Sequence, residues 1–286
     1  MGNALAAAAP SVQHCKSHRL SDLRTLTLRQ EQYQCFAADE LSRFKAALSE
    51  HLLETFPLQT SMADAEALSA YVDLVIHQAR DAGIDTQASV QSFADHMIVL
   101  GSGFHENPLY AEITTPLRDP DLISPVQRMD LVYDRAWDYL ERTRGRDGKD
   151  LVKAMGRLRA MLSLRHERWT DDFDELYANV KRIFPQKAAS HDRRTLAAFF
   201  KATLERAGMD GFTKRTGRAL YVCIAFLTGI GFFHDPLVRA GAAPQAAALE
   251  RETDPRQRVA LLGTGAMAYL DKSLEMLRGT SDTTGG

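Results

Sequence analysis

Apolar positions in this chain recur at three- and four-residue steps, and no segment sustains the two-residue alternation of a strand. The spacing predicts helices throughout and essentially no sheet. Phe36, Ala37, Leu41, Phe44, Leu48, Leu52 and Phe56 form one stripe, which places a helix from about Arg29 to Thr55. Pro57 ends it, because proline disfavours helix in the residue before it. Ser61 or Asp64 can cap a second helix, whose stripe is Leu68, Tyr71, Val72, Val75, Ile76 and Ala79. A third helix spans about Ala88 to Leu100, with Val90, Phe93, Ala94, Met97 and Ile98 inward and Ser92, Asp95 and His96 on its far side. A fourth begins with Ser124 as N-cap and Pro125 at the first helical position, and puts Met129, Val132, Tyr133, Ala136, Trp137 and Leu140 on one side.

The pattern then recurs. Gly101-Ser102-Gly103-Phe104-His105-Glu106-Asn107-Pro108-Leu109 returns without a gap as Gly229-Ile230-Gly231-Phe232-Phe233-His234-Asp235-Pro236-Leu237, at an offset of 128. Phe56-Pro57 matches Phe184-Pro185 at the same offset, and Ser124–Arg128 matches Asp254–Arg258 at 130. Leu26–Glu31 matches Leu162–Glu167 at 136, which makes the first helix of the second copy about two turns shorter at roughly 3.6 residues per turn. Four matches in one order predict an internal duplication. The expected fold is all-α, two tandem copies of a four-helix unit related by a pseudo-two-fold. Gly101, Gly103, Phe104 and Pro108, with Gly229, Gly231, Phe232 and Pro236, are its defining structural residues. The third helix of the second copy is an unbroken apolar run from Ala219 to Phe233. That run is shorter than the roughly 20 residues a membrane span needs, so a buried central helix is expected.

The chain has 286 residues and ordinary apolar and charged fractions, which suits two medium units. The expected division is a flexible extension over 1–24, unit 1 over 25–144, a basic linker and helix over 145–160, unit 2 over 161–279 and a disordered tail over 280–286. A net charge of −2 implies no bulk attraction to nucleic acid or anionic membrane. The three cysteines, Cys15, Cys35 and Cys223, match no paired spacing and read as reduced thiols. The N-terminus lacks the basic and apolar regions of a signal peptide, so a cytoplasmic location is expected.

No chemical signature emerges. His96 and His105 lie near Asp95 and Glu106, but no metal-ligand spacing is present, and Ile224 and Phe233 stand at the corresponding places in the second copy. Gly101-Ser102-Gly103 follows a helix rather than the strand that a nucleophile elbow needs, so a structural turn is expected. Asp171, Asp172, Asp174 and Glu175 fit the acidic first turn of a helix. No catalytic, cofactor or metal residues are therefore assigned. Between Arg142 and Arg168 the basic residues Arg142, Arg144, Arg146, Lys149, Lys153, Arg157, Arg159, Arg165 and Arg168 outnumber the acidic ones. They read as a solvated face, or as a docking surface for an acidic partner. Interfaces favour aromatics and arginine, which makes Trp137, Tyr139, Arg142, Arg144 and Arg146 the candidate partner interface. Tyr139 lies off the inner stripe and is the better surface candidate, while Trp137 fits core packing.

Leu26–Gln32, the helix ending in Phe56-Pro57, the Gly-x-Gly-Phe-x-x-Asn-Pro stretch and the Arg128-Met129 helix together resemble a family of small helical bacterial proteins. Their genes sit beside type VI secretion components such as VgrG, PAAR proteins and secreted toxins. The resemblance covers copy 1 from about Leu26 to Leu140 and copy 2 more loosely. It implies a non-enzymatic cytoplasmic adaptor or chaperone that binds a secreted toxin or a VgrG/PAAR spike component. The alternatives are an immunity protein that neutralises its toxin and an enzyme with an unrecognised site.

Overall fold

The structure, a computed structural model, describes residues 30–164 and 169–283. The expected extension over 1–24, Arg165, Arg168 and the side chain of Arg146 lie outside the described residues. Among the described residues the chain is all-helical, with no strand. Two compact units divide after Leu41. Of the first, the described part is residues 30–41, the opening of helix α1 (Gln30–Thr55). The second holds the rest of α1 and the remaining helices.

Chain order explains each boundary. α1 stops at Pro57, which opens the single turn α2 (Pro57–Thr60). Asp64 then caps α3 (Ala65–Asp81), its side chain accepting from the Ala67 N–H at 2.8 Å. The chain leaves α3 through Gly83 at φ 72°, and Ile84 N–H returns to the Ala79 carbonyl, the left-handed closure glycine favours. α4 (Gln87–Leu100) ends in Gly101, followed by a 3-10 turn, Phe104–Glu106. The one-turn α5 (Ala111–Thr114) leads to α6 (Pro125–Arg144), and α7 (Lys149–Ser163) completes the first half.

The second half runs α8 (Phe173–Ile183), α9 (Pro185–Ala189), α10 (Arg193–Met209), α11 (Arg215–Thr228), α12 (Pro236–Gly241), α13 (Gln245–Arg251) and α14 (Pro255–Thr283). α3 and α10 both run 17 residues, and α4 and α11 both run 14. Their caps agree in detail. Asp192 accepts from Thr195 N–H as Asp64 does from Ala67, and Phe212 N–H returns to Ala207 as Ile84 does to Ala79. Arg128 donates to the Leu122 carbonyl beside Gly83, and Arg258 donates to the carbonyls of Leu249, Glu252 and Asp210 beside Gly211.

α11 is buried over Ala219–Phe226, as a central helix should be, and no helix of the described residues is long and apolar enough to cross a membrane. α4 and α11 end against each other. Gly101 and Gly229 cap them at φ 95° and 109°. A Cβ built on Gly101 would lie 2.3 Å from the Thr228 carbonyl oxygen, and one on Gly229 would lie 2.7 Å from Gly101 Cα. One residue further, Gly231 N–H donates to the Ser102 carbonyl at 2.8 Å. Phe104 and Phe232 are buried directly after this crossing.

Four expectations need correction. His96 is not on a polar far side; it is buried against Phe104, and its Nδ1 meets the Ser92 carbonyl at 2.7 Å. On α6 the buried stripe is Met129, Val132, Ala136, Tyr139 and Thr143, which leaves Tyr133 and Trp137 exposed. Tyr139, expected at the surface, is therefore in the core. The last helix passes Gly279 and runs to Thr283, because nothing in that polar stretch is a proline that forbids helix.

The crossing generates a prediction. Gly101→Ala and Gly229→Ala each combine a forbidden φ with a backbone clash, and each lowers unfolding stability by at least about 3 kcal/mol. Gly156→Ala, in an open stretch of α7, raises it by up to about 1 kcal/mol. Denaturant melts of the three variants compare them; equal stability of Gly101→Ala and the parent would contradict the described contact.

Candidate functional site

A polar groove of about 600 Å³ lies beside α6. Arg135, Asp138, Tyr139 and Arg142 line it from α6, Pro108, Leu109, Ala111, Glu112, Ile113 and Thr115 from the segment around α5, and Ser190, His191, Asp192 and Thr195 from the lead-in and first turn of α10. Helical spacing explains the first set, since residues 135, 138, 139 and 142 lie three or four apart and share a flank. Arg135 is held by the Glu112 carbonyl at 2.7 Å, and Arg142 Nε donates to the Asp138 carbonyl at 3.1 Å.

Tyr139 closes the groove toward the interior. Its hydroxyl and His191 Nε2 form a hydrogen bond of 3.1 Å, and its ring meets Tyr110 edge-on at 5.4 Å. Burial, and then the neighbouring Tyr110, push the Tyr139 pKa well up, so the phenol stays protonated. Burial, reinforced by the Lys187 cation, lowers His191 to about 4, so the imidazole is neutral near pH 7. Lys187 itself is buried without a carboxylate. Its ammonium donates to the Tyr110 hydroxyl at 2.9 Å and to the Phe226 carbonyl at 2.6 Å. That carbonyl is among the last of α11, where the helix supplies negative partial charge.

Of the five candidate interface residues, Tyr139 and Arg142 reach the groove. Trp137 stands on another flank of α6, 59% exposed, with its ring stacked on that of Tyr133 at 6.3 Å. Arg144 turns into a separate pocket with Leu100, Leu227 and Tyr269. His191, Arg135 and Lys187 carried no sequence signal, since each gains its meaning from a residue distant in the chain.

The other groups singled out in the sequence are dispersed. His51 Nε2 holds Asp95 at 2.7 Å, while Glu106 pairs with Arg206. Burial raises Asp95 and lowers both His96 and His105. Ser102 is fully buried and donates to Asp235, whose other oxygen accepts from the Leu237 and Val238 N–H groups. Asp171 and Asp172 are not merely solvated: they clamp the start of α8 to Arg215, and Asp171 also meets Arg218 at 3.3 Å. Burial raises the thiol pKa of the free Cys223. Among the described residues no three His, Cys, Asp or Glu side chains converge as metal ligands.

The groove implies a pH dependence. An unfolded histidine titrates near roughly 6.5, against about 4 for folded His191. His191 therefore contributes its full stability above roughly pH 6.5 and loses it as pH falls toward 4, because the unfolded chain binds the proton first. Buried His96 and His105 act in the same direction, and the raised carboxyls of Asp95 and Asp235 oppose it. His191→Gln removes roughly 1–3 kcal/mol of the stability loss between pH 7 and 4.5. Thermal melts across that range measure it; a parallel pH profile in the variant contradicts the assignment.

Compared with protein-family models, with curated proteins and with solved structures, the chain matches none.

Proposed function

We propose that this chain is a non-enzymatic protein-binding adaptor, a cytoplasmic chaperone that holds a type VI secretion toxin for loading, built from two copies of one four-helix unit. The secretion setting rests on the sequence resemblance. The duplication is supported by the equal lengths of α3 and α10 and of α4 and α11, by their matched aspartate and glycine caps, and by the meeting of Gly101 with Gly229.

The observation that carries the binding reading is the exposed aromatic pair Tyr133–Trp137. Two large rings, 55% and 59% exposed, stack on one flank of α6, and Val126 continues the same flank at 47%. Burying such rings is worth roughly 1.5–3 kcal/mol each, and they are typical of the few residues that dominate a protein interface. The corresponding flank of α14, a helix that packs against α13, carries Gly263, which is buried, and Met267, which is half-buried. The second half thus covers a flank that the first half leaves open. The groove with Tyr139 and Arg142 adds polar recognition from the same helix.

The test uses the toxin encoded beside the gene. The purified chain binds it, and replacing Tyr133 and Trp137 together by alanine weakens binding by at least about 30-fold without lowering the melting temperature. Unchanged affinity in the double variant sinks the surface assignment. A gene deletion separates the roles: an adaptor mutant stays healthy and fails to deliver the toxin, whereas self-poisoning of the strain assigns an immunity protein.

A further inference from the structure

Arg142 of the sequence-predicted interface lines the polar groove, whereas Arg144 turns into a separate pocket whose surroundings are unusual for a guanidinium. It makes no hydrogen bond or ion pair with any described residue. The ionisable groups that act on its charge are the phenols Tyr110, Tyr139 and Tyr269, and burial pulls its pKa down. Arginine keeps its proton in proteins, so the site holds a permanent cation with no anion facing it. Lys187, the neighbouring buried cation, has no carboxylate either.

Arg144 lines a pocket of about 170 Å³. The rest of the wall is mostly apolar and comes from α2, the ends of α4 and α11, α7 and α14; Val99, Leu227, Met155 and Leu277 are among its apolar residues, and Gln59 and Ser273 add polar groups. A smaller recess of about 20 Å³ continues past Arg144 to Lys187 and Tyr110. An apolar cavity of roughly 150 Å³ is enough to hold benzene. The shape of the problem is thus an apolar chamber with a fixed positive charge at one side.

We infer that this pocket binds a medium-chain aliphatic monocarboxylate, with the carboxylate on the Arg144 guanidinium and the alkyl chain against Val99, Met155 and Leu277. A carboxylate matches the planar fork of the guanidinium in two parallel hydrogen bonds. Six to ten carbons suit the volume, on the order of that apolar cavity. The ligand site is independent of the aromatic flank on which the adaptor reading rests.

Calorimetric titration of the full chain with octanoate, octan-1-ol and octylamine tests this, each at up to about 10 mM, with melting temperatures followed in parallel. Octanoate binds at least about tenfold tighter than octan-1-ol, octylamine does not bind, and Arg144→Met removes the preference while leaving octan-1-ol binding unchanged. Equal affinities for octanoate and octan-1-ol overturn the inference, as does octanoate binding that survives Arg144→Met. If Arg144→Met does not fold, Val99→Phe, which fills the chamber, abolishes octanoate binding; retained binding in that variant overturns the inference as well. Absence of binding by all three probes to the parent chain also overturns it.

Discussion

The meeting of two helix ends at Gly101 and Gly229 constrains most of the molecule. The two caps approach to a distance that no side chain permits, and each glycine also takes a φ that other residues rarely adopt. Once α4 and α11 end against each other, their final carbonyls collect in one small volume, and negative partial charge collects with them. This gives a physical reason for the buried cations nearby. Lys187 satisfies the Phe226 carbonyl directly, and Arg144 stands in a pocket walled by Leu100, Gly101, Leu227 and Thr228. The helix termini offset part of the cost of burying those charges, but a partial dipole does not neutralise two cations.

At the same crossing the two halves differ in polarity. Ser102 and Ile230 occupy the same place in the motif, and so do Asn107 and Asp235. Asn107 caps its own turn through Leu109 N–H alone, whereas Asp235 accepts from two N–H groups and also from Ser102 across the crossing. Burial raises the Asp235 carboxyl, and those three donors work against the shift. A serine from one half thus stabilises a buried acid of the other. What looks in sequence like a fragment of a nucleophile motif is an internal tie.

Features that depend on local chemistry were legible in the sequence. Asp64 as one of two candidate caps of α3, Pro57 as the end of α1, Pro125 and Pro255 as first helical residues, and the close packing that Gly101 permits all follow from backbone rules that act within a few residues. The flank of α6 was not legible for a different reason. Met129, Val132 and Ala136 belong equally to a stripe that continues through Tyr133 and Trp137 and to one that continues through Tyr139 and Thr143. Hydrophobicity favours the first, and the packing chose the second. A tyrosine can be buried where its hydroxyl finds a partner, and His191 and the Lys187–Tyr110 pair supply the polar surroundings Tyr139 needs. His191 lies 52 residues along the chain from Tyr139, beyond the reach of any periodicity.

Burial of Tyr139 changes how α6 is used. A helix normally divides its surface into a buried stripe and a solvated one. α6 divides it into more parts: a core stripe ending in Tyr139, a flank lining the polar groove through Arg135 and Arg142, an exposed aromatic flank of Tyr133 and Trp137, and a final residue, Arg144, turned into an apolar pocket. Tyr139 lines both the groove and the small recess beside Arg144, so one buried side chain of α6 serves two cavities as well as the core.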